Sequence, residues 1–123
     1  MSNLARILLV LLTGFLGAGR AHAAASDWTE TEVGRLRLIS AWGAVGEVDE
    51  IPLGLEFKLK KDWKVYWRSP GEAGYPPKLD WTGSANLKEA VIAWPVPERF
   101  TILGIETVGY KGELVLPLLI RPV

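Results

Sequence analysis

The chain has 123 residues, with 14 lysine and arginine residues against 14 aspartate and glutamate residues, one histidine and no cysteine. That length suits one domain, with or without a leader segment. A net charge of zero gives no electrostatic reason to bind nucleic acid, because a phosphate backbone selects a basic surface. The absence of cysteine excludes disulfides, thiolate metal sites and thiol nucleophiles within these 123 residues.

The N-terminal segment, residues 1–23, has the pattern of a secretory signal peptide. A positive charge precedes an apolar run over residues 7–16, and Ala21 and Ala23 supply the small residues of a cleavage site. The apolar run is about half of the roughly 20 residues that a membrane-spanning helix needs. We therefore predict export rather than a membrane anchor, with cleavage after Ala23 and a second choice after Ala25.

Cleavage would leave residues 24–123, a stretch of 100 residues with no histidine and no cysteine. Loss of Arg6 and Arg20 reduces the basic count from 14 to 12, against 14 acidic residues. Without these two residue types, Ser–His and Cys–His nucleophilic pairs and His/Cys zinc sites are excluded. We predict a short N-terminal lead over 24–30 and one domain over 31–123, with no cofactor.

Alternation of apolar and polar residues predicts a set of short strands. Residues 33–41 show this pattern, and it is strict over 52–60, where every second side chain from Leu53 is apolar. A short turn at 61–62 separates this run from a second alternating run at 63–68, so we predict that the two form a β-hairpin. Further strands are predicted over 78–82, 86–94, 105–110 and 113–120.

The last predicted strand contains Pro117, which lacks the N–H that a sheet ladder uses. We therefore expect this strand to lie at a sheet edge or to bend there. No segment shows a sustained apolar stripe of helical period. Short strands with frequent glycine and proline predict an all-β sandwich or barrel.

Aromatic residues are densest around the second alternating run. Tyr66 and Arg68 fall on one face of it and, with Tyr75 in the irregular loop 69–77, form a candidate partner surface. The alternative for that face is a solvated surface stabilised by cross-strand pairs. Large side chains on the opposite face and at strand ends are predicted to fill the core. This structural aromatic core comprises Trp63, Trp67, Trp81 and Trp94.

The carboxylates do not suggest a catalytic pair. Glu47, Asp49 and Glu50 share one loop, but the loop lacks an EF-hand calcium pattern and is predicted to be solvated. The other carboxylates are scattered, whereas glycoside hydrolysis needs two that flank a cleft. We therefore predict no catalytic residue and no metal site.

Four motifs, in order along the chain, resemble those of a known family. Residues 55–77 contain the run Trp-Lys-Val-Tyr-Trp-Arg-Ser-Pro-Gly, and residues 80–84 read Asp-Trp-Thr-Gly-Ser. Residues 94–100 read Trp-Pro-Val-Pro-Glu-Arg-Phe, and residues 109–118 begin Gly-Tyr-Lys-Gly-Glu and end Leu-Pro-Leu. Together they resemble the N-terminal periplasmic domain of DsbD-type thiol:disulfide interchange proteins, particularly the ScsB branch.

The resemblance implies an immunoglobulin-like β-sandwich in the periplasm. In that family the domain precedes a polytopic membrane domain and a thioredoxin-like domain, and it reduces periplasmic proteins through a cysteine pair. The implied partners are therefore periplasmic redox proteins and the family's membrane and thioredoxin-like domains. Neither a nucleic acid nor a small-molecule cofactor is implied.

The cysteine count departs from the family pattern, because the family's pair follows the strand that matches 114–120. We expect either a truncated product that ends before the pair, which the apolar final strand favours, or a non-catalytic relative. No catalytic residue can be carried over in either case. The residues also allow a different function, a stand-alone periplasmic scaffold that binds a protein or glycan through Tyr66, Arg68 and loop 69–77.

Overall fold

The structure is a computed structural model that describes residues 23–43 and 46–123. The predicted signal peptide, except for its last residue, lies outside the described residues. Within them, no helix is long and apolar enough to cross a membrane. The regular elements are the strands β1 (Ala24–Ala25), β2 (Thr29–Thr31), β3 (Gly34–Ser40), β4 (Ile51–Leu59), β5 (Lys64–Gly71), β6 (Leu87–Ile92), β7 (Glu98–Ile102), β8 (Ile105–Lys111) and β9 (Glu113–Pro122).

Six of these strands form a large antiparallel sheet in the order β1-β3-β4-β9-β6, with β2 also paired to β3. The pairing of β4 with β9 runs without a shift from Ile51 opposite Ile120 to Lys58 opposite Glu113. Strict alternation in β4 places its odd-numbered residues on the inner face, where the leucines and Phe57 meet the apolar side chains of β9.

The other three strands form a smaller antiparallel sheet in the order β5-β8-β7. Strands β7 and β8 are a regular hairpin, whereas the pairing of β5 with β8 shifts register between Tyr66 and Gly71. Side chains from both sheets meet in one core, as expected of a sandwich. Its buried members are Leu55, Phe57, Val65, Tyr110, Leu116, Leu118 and Ile120.

The predicted hairpin between 52–60 and 63–68 is wrong. Strand β4 pairs with β3 and β9 in the large sheet, while β5 pairs with β8 in the small one. The turn itself is present, since the Trp63 N–H donates to the Lys60 carbonyl at 3.1 Å. This turn carries the chain from one sheet to the other. Two strands in facing sheets both point every second side chain into the shared core, so their apolar–polar alternation is the same as that of a hairpin.

Of the two alternatives for the last strand, an edge position or a bend, the edge position is wrong, because β9 lies between β4 and β6. The Pro117 carbonyl accepts a hydrogen bond at 2.9 Å from the N–H of Ala93, just past the end of β6. The N–H and C=O of a strand residue face the same neighbour. The missing donor of Pro117 therefore falls beyond β6, and the proline is tolerated inside the sheet.

Three further segments differ from the expectations. Residues 78–82 form no strand, and the strand predicted over 86–94 is confined to β6. Strand β7 was not predicted; it follows directly after Pro95 and Pro97, which cannot donate to a sheet ladder. Part of the predicted lead, 24–30, is paired to the sheet through β1 and β2.

Candidate partner surface and tryptophan groove

A groove of about 410 Å³ lies where β5 passes the chain that leaves β6. Trp67 and Arg68 of β5 line one part of it, and Trp94 begins the segment that lines the rest. This segment has prolines at positions 95 and 97, which favour an extended backbone outside a sheet. The lining residues are Trp67, Arg68, Ile92, Trp94, Pro95, Val96 and Pro97.

Tyr110 fixes the segment after β6 to the small sheet. Its hydroxyl donates to the Pro95 carbonyl at 2.8 Å, and its side chain is otherwise buried in the core. Burial raises the pKa of the Tyr110 phenol above its ordinary value of 10.0. The neutral phenol therefore serves as a hydrogen-bond donor that holds one wall of the groove.

Trp67 carries an unsatisfied polar group beside this groove. Its indole Nε1 is buried and has no hydrogen-bond partner among the described residues. A buried donor without a partner is unusual in native proteins and destabilises the site that holds it. The Arg68 guanidinium carbon lies 5.0 Å from the centre of the Trp67 ring, within cation–π range.

Tyr66 and Tyr75, which the sequence placed on one surface, are in different environments. Tyr66 is opposite Gly109 on the outer face of the small sheet, and loop 69–77 covers its ring. A Cβ on Gly74 would lie 2.5 Å from the nearest atom of that ring, so only glycine permits the contact. The next residue, Tyr75, is 90% exposed. Among the described residues, no hydrogen bond or cation–π contact joins Tyr66, Arg68 and Tyr75.

The four tryptophans predicted to fill the core also divide. Trp67, Trp81 and Trp94 are half-buried and pack against the buried cluster. Trp63 does not, since it is 41% exposed. It precedes the first residue of β5 and belongs to the turn between the sheets, so strand alternation does not direct it inward. Its placement in the core is therefore wrong.

A cluster around Trp28 was missed by the sequence analysis. The guanidinium carbons of Arg35 and Arg37 lie 4.7 Å and 4.3 Å from its ring centre, and the Lys58 ammonium lies 5.3 Å away. Arg37 also donates to Glu56 at 2.8 Å. The alternation of basic residues in β3 places these charges on the outer face, but nothing in the sequence indicated that Trp28 would cover them.

The acidic loop shows no arrangement suited to metal binding. Glu47 and Asp49 are exposed, and the Glu50 carboxylate lies 3.5 Å from the Arg121 guanidinium. In the described part of the chain, no three His, Cys, Asp or Glu side chains come together as possible metal ligands. Glu50 is therefore part of a surface ion pair.

Two facing antiparallel sheets around one apolar core define this chain as an all-β, immunoglobulin-like domain, as the sequence predicted. A family model described as "Thiol:disulfide interchange protein DsbD, N-terminal" matches residues 37–123. The chain belongs to this family, which confirms the resemblance found in its four motifs.

The structure is also similar to the crystal structure of the N-terminal periplasmic domain of ScsB from Proteus mirabilis. The TM-score is 0.67 and the sequence identity is 30%, over 81% of this chain and 40% of that one. The chain therefore spans two fifths of the length of the ScsB structure. Comparison with curated protein sequences gave no match.

Proposed function

We propose that the chain is an exported periplasmic module of a thiol:disulfide interchange protein that docks redox partners without exchanging thiols itself. The observation that carries this proposal is the family match over residues 37–123. The signal-peptide pattern of residues 1–23 and the periplasmic origin of the similar ScsB domain support the location.

A docking role, rather than a chemical one, follows from the residues available. Thiol–disulfide exchange begins with attack of a thiolate on a disulfide sulfur. The 123 residues contain no cysteine, so they form no mixed disulfide. Any thiols that react in a complex with this chain therefore belong to another polypeptide segment or to the partner.

The candidate docking surface combines Tyr75, Arg68 and the Trp67–Trp94 groove. Tyr75 is almost fully exposed, and Arg68 is exposed beside the groove. Tyrosine, tryptophan and arginine are the residue types that most often dominate binding energy at protein interfaces. An acceptor on the partner would also satisfy the Trp67 indole N–H if the groove opened on binding.

Titration with a thioredoxin-like domain from a DsbD-family protein tests the docking role. We expect saturable binding in NMR spectra, with shift changes at Arg68 and Tyr75. The double substitution Arg68→Gln and Tyr75→Ser should weaken binding by about 25-fold or more, since hot-spot residues each contribute more than about 1 kcal/mol. Lys88→Gln, on an exposed part of β6, is the matched control. Absence of binding, or equal binding by all variants, would contradict the docking role.

The export step has an independent test. Mass spectrometry of the chain expressed in a Gram-negative host should find a periplasmic form that begins at Ala24 or Ser26. A cytoplasmic form that retains residues 1–23 would overturn the export proposal, but it would leave the docking proposal open to its own test.

A second function, recognition of a glycan by a stand-alone module, is favoured by the two tryptophans in the 410 Å³ groove. Aromatic rings at a groove can stack on sugar rings. In this case a soluble oligosaccharide should quench tryptophan fluorescence, and Trp94→Ala should abolish the effect. Partner binding without any response to oligosaccharides would leave only the first proposal.

A further inference from the structure

One pole of the sandwich is built from two of the turns at which the chain crosses between the sheets. The first turn, residues 60–63, joins β4 to β5, and the second, at Lys111 and Gly112, joins β8 to β9. The Leu59 N–H donates to the Gly112 carbonyl at 2.9 Å and holds the two turns side by side. Asp62 adopts a φ of 68°, which closes the first turn tightly.

These turns bring together four lysines around exposed aromatic surface. A cavity of about 520 Å³ opens between them, and its lining includes Trp63, Phe100 and a single acidic residue, Asp62. None of the four lysines forms an ion pair within the described residues. The lysine–tryptophan tip is defined as Lys60, Lys61, Trp63, Lys64 and Lys111.

The local charge contrasts with the rest of the domain. Residues 24–123 have 12 basic and 14 acidic residues, whereas the cavity lining has four lysines and one aspartate. Two of the ammonium groups lie over the Phe100 ring, with the Lys64 and Lys111 Nζ atoms 4.9 Å and 6.0 Å from its centre. These contacts help to hold like charges close together. The tip is therefore a concentrated positive surface.

Trp63 gives this surface an amphipathic character. Its side chain is 41% exposed although it is large and mostly apolar. Tryptophan is enriched at the level of lipid headgroups, where its ring is partly dehydrated and its indole N–H remains hydrated. Lysines that surround such a ring are attracted to anionic headgroups.

We propose that the lysine–tryptophan tip docks on the surface of a bilayer that contains anionic phospholipids. Among the residues that the structure describes, the cations of the lining are all lysines, which bind phosphate as mobile point charges. None of those lining residues is an arginine, whose bidentate pairs are typical of carboxylate recognition. The four lysines lie at one pole of the domain, where they can approach one plane together. Lipid phosphates therefore fit this surface better than an acidic peptide does.

Vesicle co-sedimentation of the exported chain, purified after removal of residues 1–23, tests this assignment. Vesicles of phosphatidylethanolamine with phosphatidylglycerol should bind the chain, and vesicles of phosphatidylcholine alone should not. Binding should weaken as salt is added, because counterions screen exposed charges. The double substitution Lys60→Gln and Lys61→Gln should lower the partition coefficient on the order of 25-fold, at about fivefold for each lysine.

Two further variants distinguish binding through the lysine–tryptophan tip from non-specific attraction of any surface lysine to the vesicles. Trp63→Ser should weaken binding several-fold, and quenching by lipids brominated near the headgroup should decrease with it. The control double variant, Lys78→Gln with Lys88→Gln, removes two exposed lysines outside the tip and should bind like the parent chain. Circular dichroism verifies that each variant is folded.

Three outcomes would overturn membrane docking. One is equal binding to neutral and anionic vesicles, and another is an equal loss in the tip and control variants. The third is binding of a soluble polyglutamate peptide with no binding to vesicles, which would assign the tip to an acidic protein partner. The result is independent of whether the chain also docks a redox protein, because that test uses Arg68 and Tyr75.

Discussion

The pairing of β4 with β9 and the pairing of β5 with β8 contrast within one domain. The first is continuous from Ile51 to Lys58, and its inner residues form most of the buried core. The second is regular only up to Tyr66, and its register then shifts before Gly71. Tyr66 and Arg68 lie along the irregular strand, and Tyr75 lies in the loop that follows it.

The contrast shows how the sandwich separates stability from recognition. In a regular strand pair the backbone groups are hydrogen-bonded to each other and alternate side chains are buried. Few groups of such strands are then available to bind a partner. An irregular pair leaves some side chains incompletely satisfied, such as the Trp67 indole N–H, which has no hydrogen-bond partner in the described part of the chain. We therefore expect substitutions in the first pair to affect mainly stability and those beside the second to affect mainly binding.

The largest effect is expected from Leu116→Ala in β9. This side chain is fully buried at 0% exposure, and its loss should lower the free energy of unfolding by about 3 kcal/mol through lost burial and the cavity left behind. Urea denaturation followed by tryptophan fluorescence measures it. The matched control is Val115→Ala, on the outer face at 41% exposure, which should cost less than about 1 kcal/mol. Equal losses would show that β9 is not buried as described.

The second expected effect tests a close approach within the irregular pair. A Cβ on Gly109 would collide with the backbone carbonyl oxygen of Val65. Backbone atoms cannot move aside as the end of a flexible side chain can, so one of the two strands would have to shift. Gly109→Ala should therefore destabilise the domain by about 2 kcal/mol. Gly46→Ala, where a Cβ meets no atom of the described residues within 4 Å, is the control. A Gly109→Ala variant as stable as the control would place β5 farther from β8.

The third expected effect concerns the phenol that holds the groove. Tyr110→Phe removes the hydrogen bond to Pro95 and should cost about 1 kcal/mol at neutral pH. The pKa of Tyr110 is raised in the folded state, so the folded chain retains this proton at a pH where the unfolded chain loses it. Stability should therefore fall as the pH rises above the ordinary value of 10.0, and less steeply in the phenylalanine variant. Identical pH profiles between pH 9 and 11, compared at matched salt, would contradict this linkage.

Much of the large sheet could be predicted because its chemistry is local. Alternation over 52–60 gave the strand and its buried face, and these agree with β4. The predicted pairing of this strand with the next one was wrong. The same alternation of apolar residues is expected of a hairpin and of two strands in facing sheets. The edge position expected from Pro117 was wrong for a related reason. Whether a proline is tolerated inside a sheet depends on where the neighbouring strand ends, and the end of β6 is set by tertiary structure.

Less of the candidate site could be predicted, because its residues are placed by loops. Period-two reasoning put Trp63 and Trp67 on one face, yet the turn directs Trp63 to solvent. The lysine–tryptophan tip also combines turns separated by about 50 residues of chain, and only the sheet topology brings them together. The tryptophan groove likewise depends on the path of the segment after β6.

The smallest effect on stability is expected from Tyr75→Ala. At 90% exposure this side chain has little burial to lose, so the change in unfolding free energy should stay within about 0.5 kcal/mol. The matched variant is Tyr66→Ala, which removes the ring that packs against Gly74 and should cost about 1 kcal/mol or more. Thermal or urea unfolding of both variants measures the difference.

The same two variants should reverse their order when partner binding is measured. Tyr75 is free to contact another protein, while the ring of Tyr66 is already covered by loop 69–77. A loss of binding greater in Tyr66→Ala than in Tyr75→Ala would mean that the loop itself, held by Tyr66, is what the partner contacts. Equal stability losses in the two would instead mean that the loop does not rest on Tyr66. Because both residues are tyrosine, the difference between the variants reports their position and not their chemistry.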